Sequence, residues 1–92
     1  MKLIPTTEFN KTVSKITDII AKKRLNDLIS KLEASKSLNE IANVIPLKGI
    51  RGLFRITTGE FRLLVKQIKN GEIILVLVDY RRRNEKTYKR LV

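Results

Sequence analysis

The chain has 92 residues, a formal net charge of +11, no cysteine and no histidine. Without cysteine, disulfides and thiolate zinc sites are excluded as sources of stability. Without histidine, any acid–base catalysis must use a different side chain from the one that most often does this work near neutral pH. At this length we expect one domain, spanning residues 1–92, with a single core.

The positive charge is concentrated in the second half of the chain. Residues 1–47 hold eight Lys/Arg and five Asp/Glu, whereas residues 48–92 hold twelve Lys/Arg and four Asp/Glu. Seven of the eight arginines also lie in the second half. Because the planar guanidinium of arginine matches the geometry of phosphate, we expect this half to carry the functional surface. The expected partner is a polyanion such as nucleic acid or the ribosome.

No membrane or targeting segment is evident. The longest apolar run, residues 73–78, has six residues, far fewer than the ~20 needed to span a bilayer. The N-terminal sequence MKLIPTTEF has no apolar segment typical of a signal peptide. We therefore expect a soluble, cytoplasmic protein with no membrane partner.

The first half predicts a short strand followed by two helices. Residues 2–4 form the strand, which Pro5 ends, and the KKR at 22–24 is interpreted as a solvated turn between the helices. Apolar residues recur at helical spacing and predict two helices. The first covers about 8–22 and rests on Phe9, Val13, Ile16 and Ile20. The second covers about 24–35 and rests on Leu25, Leu28, Ile29 and Leu32. Ser37 and Glu40 have the spacing of a capping box, which predicts a further helical turn.

The second half predicts strands. Pro46 begins an extended lead-in, and three antiparallel strands follow near 53–57, 61–68 and 72–80, with turns at Thr58–Gly59 and Asn70–Gly71. The last strand is apolar on both faces, which is typical of an interior strand. The expected fold class is α+β: two N-terminal helices packed on a small, mainly antiparallel, twisted sheet.

A pair of arginines is the first candidate site. A two-residue turn at Thr58–Gly59 would place Arg55 directly opposite Arg62. Like charges in this position destabilise a sheet, and an anion bound between them would relieve the repulsion. The alternative is that both arginines lie on a solvated face and keep the sheet soluble.

The segment after Val78 adds more cations to this face. Strand alternation places Asp79 and Arg81 on one side and Tyr80 and Arg82 on the other. At least one member of the triplet at 81–83 must then share the face of the first arginine pair. Tyr80 and Tyr88 are both interleaved with cations, a pattern that suits RNA bases stacked on aromatic rings. The alternative is that each tyrosine simply packs at the end of a strand or tail.

The order of these segments resembles the RelE/ParE superfamily of bacterial and archaeal type II toxins, in its RelE-like branch. The resemblance rests on Lys48–Gly49, Phe54–Arg55–Ile56, Gly59, Phe61–Arg62 and the basic segment from Arg81 to Tyr88. It covers essentially the whole chain. It implies a RelE-like fold and the activity of a ribosome-dependent messenger-RNA endonuclease, which inhibits translation.

The resemblance also implies roles for individual residues. Arg62 is similar to the arginine that holds the scissile phosphate, Arg55 takes the place of a strand lysine, and Tyr80 stands where many relatives carry histidine. The implied catalytic set is Arg62, Tyr88 and one of Arg81, Arg82 and Arg83. The residues expected to bind RNA are Lys48, Arg51, Arg55, Tyr80, Lys86 and Lys89.

The implied reaction is attack of the ribose 2′-hydroxyl on the neighbouring phosphate, with no metal and no small-molecule cofactor. Fixed guanidinium groups would stabilise the charge that develops on the phosphoryl oxygens. The implied partners are the ribosome with its messenger RNA and a cognate antitoxin, expected to be acidic or amphipathic. Two alternatives stay open: a ParE-like inhibitor of DNA gyrase without catalysis, and a non-enzymatic basic module that binds RNA or the ribosome.

Overall fold

A computed structural model describes residues 1–82 of the chain. It contains a five-stranded sheet with the strand order β1-β5-β4-β3-β2 and two helices near the N-terminus. The pairing of β1 with β5 is parallel, and the other three pairings are antiparallel. The predicted α+β fold class is therefore confirmed. No helix in the described part is both long and apolar enough to cross a membrane.

The N-terminal elements are β1 (Lys2–Pro5), α1 (Thr7–Ser14) and α2 (Ile19–Ala34). The predicted boundary between the helices at 22–24 is wrong, because that basic triplet lies inside α2 with its three residues exposed. The break falls at residues 15–18. Asp18 causes it, since its Oδ1 accepts hydrogen bonds from the backbone N–H groups of Ile20 and Ala21 at 3.0 and 3.1 Å and so starts a new helix.

A single 3₁₀ turn (Leu38–Glu40) and the short strand β2 (Val44–Pro46) connect α2 to the rest of the sheet. The Glu40 carboxylate accepts a hydrogen bond from the backbone N–H of Ser37 at 3.2 Å, as the predicted capping box requires. The segment around Pro46 is extended, as expected, but it also pairs with β3 as an edge strand. Proline is tolerated there because an edge strand leaves some N–H groups without a ladder partner.

The three remaining strands agree with the predicted ones and are slightly longer: β3 (Leu53–Thr58), β4 (Phe61–Asn70) and β5 (Glu72–Arg82). The β3–β4 register differs from the prediction. Thr58 pairs with Phe61, so the turn residues are Gly59 and Glu60. Gly59 has a φ of +60°, which suits the first central position of a two-residue hairpin turn of type II′. Arg55 therefore lies opposite Leu64 instead of Arg62.

The core lies on one face of the sheet, between the strands and the helices. The side chains with at most 1% of their surface exposed are Leu32, Ile56, Leu63, Val65, Leu75 and Tyr80, and all belong to this cluster. Leu53 and Leu64 are also buried but lie outside the cluster, because strand alternation turns them to the opposite, helix-free face.

A β-bulge in β5 decides which residues face the core. Leu64 pairs with Asp79 and Val65 pairs with Leu77, so Val78 is an extra residue without a partner on β4. The extra residue places Leu77 and Tyr80, three positions apart, on the same core face. Beyond the bulge, Asp79 and Arg81 consequently face the helix-free side.

Thr6 attaches the first helix to this bulge. Its side chain accepts a hydrogen bond from the backbone N–H of Phe9 at 3.0 Å and thereby caps α1. The same hydroxyl donates to the carbonyl oxygen of Leu77 at 2.9 Å, and the backbone N–H of Thr6 donates to that oxygen at 3.1 Å. The position of α1 and the bulged backbone are therefore coupled.

The Gly59 turn provides a test of the hairpin. Gly59→Ala and Gly71→Ala should each destabilise the protein by about 1–2 kcal/mol, because both glycines have positive φ, +60° and +81°, which L side chains rarely adopt. A Cβ at Gly59 would also meet the Arg24 guanidinium, but this end of an exposed, flexible side chain can move aside, and nothing lies within 4 Å of a Cβ at Gly71. Backbone strain should therefore account for most of the loss at both positions.

Urea unfolding of the two variants measures the loss of stability. In an Arg24→Ala background the loss at Gly59 should be almost unchanged, because it comes from the backbone. A loss at Gly59 that disappears without Arg24 would instead show that the side-chain contact sets the cost.

Candidate nucleic-acid interface

Three arginines from neighbouring strands lie together on the helix-free face. Arg62 in β4 is paired directly with Arg81 in β5 on one side and with Thr57 in β3 on the other. Arg55 is two positions before Thr57 and therefore lies on the same face, diagonally from Arg62. The three arginines line a common recess with Leu64 and Asp79, and Arg82 borders it. We call Arg55, Arg62 and Arg81 the arginine cluster.

The arginine cluster is partly shielded from water. Leu64, only 3% exposed, lies beneath it, and the Nε atoms of Arg55 and Arg62 are buried although both side chains are partly exposed. Electrostatic attraction is stronger where water is excluded, so an anion in this recess would interact more strongly than on an open surface. Guanidinium groups held on adjacent strands can bind one phosphate through several charge-assisted hydrogen bonds.

Arg82 points to the other side of the sheet. Its guanidinium lies over the Phe61 ring, 5.1 Å from the centroid, and forms ion pairs with Glu60 at 3.1 Å and Asp18 at 3.9 Å. Arg82 thus connects the β3–β4 turn to the N-terminus of α2. Of the two described members of the predicted triplet, only Arg81 joins Arg62, and the expected catalytic role of Arg82 does not fit this placement.

Solved structures with the same architecture belong to toxin–antitoxin systems. The RelB–RelE antitoxin–toxin complex from Methanococcus jannaschii matches with a TM-score of 0.73 and 20% identity, over 97% of this chain and 99% of that chain. The chain has the RelE/ParE fold. The expected resemblance in fold is therefore confirmed.

Two further structures support the RelE/ParE fold. The YoeB/ParE toxin from Agrobacterium tumefaciens has a TM-score of 0.68 and 24% identity, over 90% of this chain and 99% of that one. The toxin–antitoxin complex RelBE2 from Mycobacterium tuberculosis has a TM-score of 0.59 and 19% identity, over 89% and 96% of the two chains. No protein-family model and no curated protein matches the chain.

Within this RelE-like sheet, Tyr80 is not available to RNA, which corrects the sequence-based expectation. Its side chain is fully buried, its hydroxyl donates a hydrogen bond to the carbonyl oxygen of Ala21 at 2.9 Å, and its ring stacks on Phe61 with centroids 4.9 Å apart. Burial raises the pKa of Tyr80 to about 12. The prediction failed because, in the sequence, a tyrosine among arginines resembles a residue on which RNA bases stack. The residues that bury its side chain, Ala21 and Phe61, lie far away in the sequence.

Two other predicted RNA-binding residues of the described part lie outside the arginine cluster. Lys48 and Arg51 are exposed in the loop between β2 and β3, at the opposite end of β3 from Thr57. Arg55, the cluster member on β3, is only two residues from the start of the strand, roughly 7 Å at the usual rise per residue. RNA contacts by this loop therefore remain a prediction. The remaining expected site residues lie outside the described part of the chain: Arg83, Lys86, Tyr88 and Lys89.

Asp79 was predicted to lie on the same side of the strand as Arg81 but was assigned no role in the site. Its Oδ2 accepts a hydrogen bond from the Nε of Arg81 at 2.5 Å, and its Oδ1 accepts one from the backbone N–H of Tyr80 at 2.9 Å. The spacing Asp-x-Arg indicated the shared face, since residues two apart on a strand point the same way, but not the contact between the two side chains. Within residues 1–82, no three acidic side chains form a cluster that could hold a metal ion.

The burial of Tyr80 predicts unusual titration. In a Tyr88→Phe variant Tyr80 is the only tyrosine, and it should ionise near pH 12 instead of the usual value near 10. Unfolded Tyr80 loses its proton first, so stability should fall as the pH rises from about 10 to about 12. Ultraviolet absorbance of tyrosinate follows the ionisation.

Tyr80→Phe is the matched variant for this measurement. This variant should not show the fall in stability between about pH 10 and pH 12. It should also lose about 1–2 kcal/mol of stability at neutral pH, because the Ala21 carbonyl loses its buried hydrogen-bond donor. Ionisation of Tyr80 near its ordinary pKa in the folded protein would instead indicate an accessible ring, and the RNA-stacking role would have to be reconsidered.

Proposed function

We propose that this protein is the toxin of a type II toxin–antitoxin system and that it cleaves messenger RNA on the ribosome. The observation that carries the proposal is the arginine cluster: three guanidinium side chains from three adjacent strands line one recess. The RelE/ParE fold supports the assignment to a toxin. The net charge of +11 supports a polyanionic target.

The reaction that suits such a cluster is transesterification of RNA. The ribose 2′-oxygen forms a bond to the adjacent phosphorus, and the bond from phosphorus to the 5′-oxygen of the next nucleotide breaks. The products are a 2′,3′-cyclic phosphate and a 5′-hydroxyl, after a base takes the 2′-proton and the leaving oxygen gains one. Arg62 and Arg81 would stabilise the negative charge that gathers on the phosphoryl oxygens.

Positioning supplies the rest of the rate enhancement. The 2′-oxygen must lie in line with the leaving 5′-oxygen, and holding it there removes much of the entropic cost of the reaction. The ribosome would hold the messenger in this geometry, while the basic protein binds the assembly through phosphate contacts. Binding should therefore weaken steeply as the salt concentration rises, because each phosphate contact releases counterions.

The expected protein partner is an antitoxin. Two of the matching structures are antitoxin–toxin complexes, and an acidic segment would neutralise part of the charge of +11 on this chain. Strong expression of the protein alone should then arrest growth, and co-expression of the antitoxin should restore it. Normal growth with abundant folded protein would argue against a toxin.

The arginines provide the decisive test. Purified protein added to programmed ribosomes should yield fragments ending in 2′,3′-cyclic phosphate. Arg62→Ala and Arg81→Ala should each reduce the cleavage rate by about 100-fold or more, the usual effect of losing one group that stabilises transition-state charge.

Arg82→Ala is the matched control, since it removes a neighbouring arginine that is held by Glu60 and Asp18 on the other side of the sheet. It should reduce cleavage by less than tenfold, a loss well below that expected from a transition-state contact. Equal losses in Arg81→Ala and Arg82→Ala would contradict the assigned site. Inhibition of DNA gyrase without cleavage would support the ParE-like alternative, and ribosome binding without cleavage or gyrase inhibition would support a non-enzymatic module.

A further inference from the structure

A carboxylate lies beside the arginine cluster. Asp79 follows the bulge in β5 and is paired with Leu64 of β4, next to the position where Arg62 faces Arg81. Its side chain is only 14% exposed. A largely buried negative charge at a site expected to bind phosphate would weaken binding by repulsion, so its presence requires a reason.

The contacts of Asp79 indicate that it acts on Arg81. One carboxylate oxygen accepts a hydrogen bond from the Nε of Arg81, and the other accepts the backbone N–H of Tyr80. The second bond fixes the carboxylate against its own backbone, and the first fixes the plane of the guanidinium. Because the guanidinium is planar, a contact at Nε also sets the direction in which its two terminal nitrogens point.

The neighbouring charge provides a second reason. Arg62 and Arg81 face each other directly across two strands, and two like charges in this position repel. Without a counter-charge, Arg81 would gain by turning away from Arg62 towards water. Asp79 offsets that repulsion and keeps the two cations on the same side of the recess.

We propose that Asp79 is a positioning residue that orients Arg81 for phosphate stabilisation. This inference rests on the proposed function and adds a named requirement to it. Asp79 does not contact the RNA in this scheme. Its removal makes the recess more positive, so substrate affinity is kept or improved, while the transition state loses a correctly aimed donor.

Asp79→Asn tests the inference in the ribosome assay. The kcat should fall about tenfold, with KM unchanged or lower, because misplaced catalytic groups cost rate rather than binding. Glu72→Gln is the matched control, since it removes an equal charge from the far, exposed end of the same strand. It should leave kcat unchanged.

A double-mutant cycle separates positioning from direct catalysis. In an Arg81→Ala background, Asp79→Asn should cause no further loss, because the residue through which Asp79 acts is absent. An equal loss in both backgrounds would overturn the inference and indicate an independent role such as general base. A rise in KM with unchanged kcat would also overturn it.

A spectroscopic measurement on the free protein keeps the inference distinguishable from the proposed function. In nuclear magnetic resonance spectra the Nε–H group of Arg81 should be ordered in the wild type and mobile in Asp79→Asn, while both proteins keep the same fold. Equal mobility in the two proteins overturns the positioning role. If the wild type cuts no RNA, the proposed function fails, and a loss of Arg81 order in Asp79→Asn would then support the orienting contact alone.

Discussion

The arrangement of the candidate site depends on one irregularity in the pairing of β4 with β5. In an unbroken strand, Leu75, Leu77, residue 79 and residue 81 would all face the core. The extra residue at Val78 changes this parity, so that Tyr80 packs in the core and Arg81 faces Arg62. A change of one residue in register moves every later side chain to the opposite face. Without the bulge, the helix-packed side would receive Asp79 and Arg81.

The buried contacts of Tyr80 hold the bulge in place. The stacking on Phe61 and the hydrogen bond to Ala21 would both be lost if the strand slipped by one residue. Thr6 adds a third restraint, since it donates to the carbonyl of Leu77 while capping α1. Core packing on one face of the sheet therefore fixes the direction of charged side chains on the other.

A sheet with one face packed in the core and the other carrying the charged groups suits a site built from like charges. Cations that repel one another stay together only when the backbone that carries them is rigid, and interior strands are the most rigid part of a small domain. Arg62 lies on the central strand of the sheet and Arg81 on the strand beside it. A preorganised cluster of this kind binds anions without a large ordering cost.

Much of the fold was predictable from the sequence because its signals are local. Apolar periodicity indicated helices and strands, and Asn70–Gly71 and Gly59 marked the hairpins. Alternation after Val78 correctly separated Arg81 from Arg82. The helix boundary was missed because three basic residues on a solvated helix face resemble a turn, whereas the Asp18 cap that decides it is a single side chain.

The remaining errors concern contacts between distant segments. Nothing near Tyr80 in the sequence shows that its hydroxyl meets the carbonyl of Ala21, 59 positions away. The two-residue shift between β3 and β4 depends on which turn position Gly59 occupies, and either choice leaves Arg55 and Arg62 on the same face. The arginine face was therefore predictable even though its register was not.

The position of β5 in the sheet has a consequence for synthesis. This strand is the last in the described chain, yet it lies between β1, which is made first, and β4. The pairing of β1 cannot be completed until residue 77 has left the ribosomal exit tunnel, and that of β4 cannot be completed until residue 82 has left it. A nascent chain thus carries no assembled arginine cluster until β5 has emerged and paired with β4.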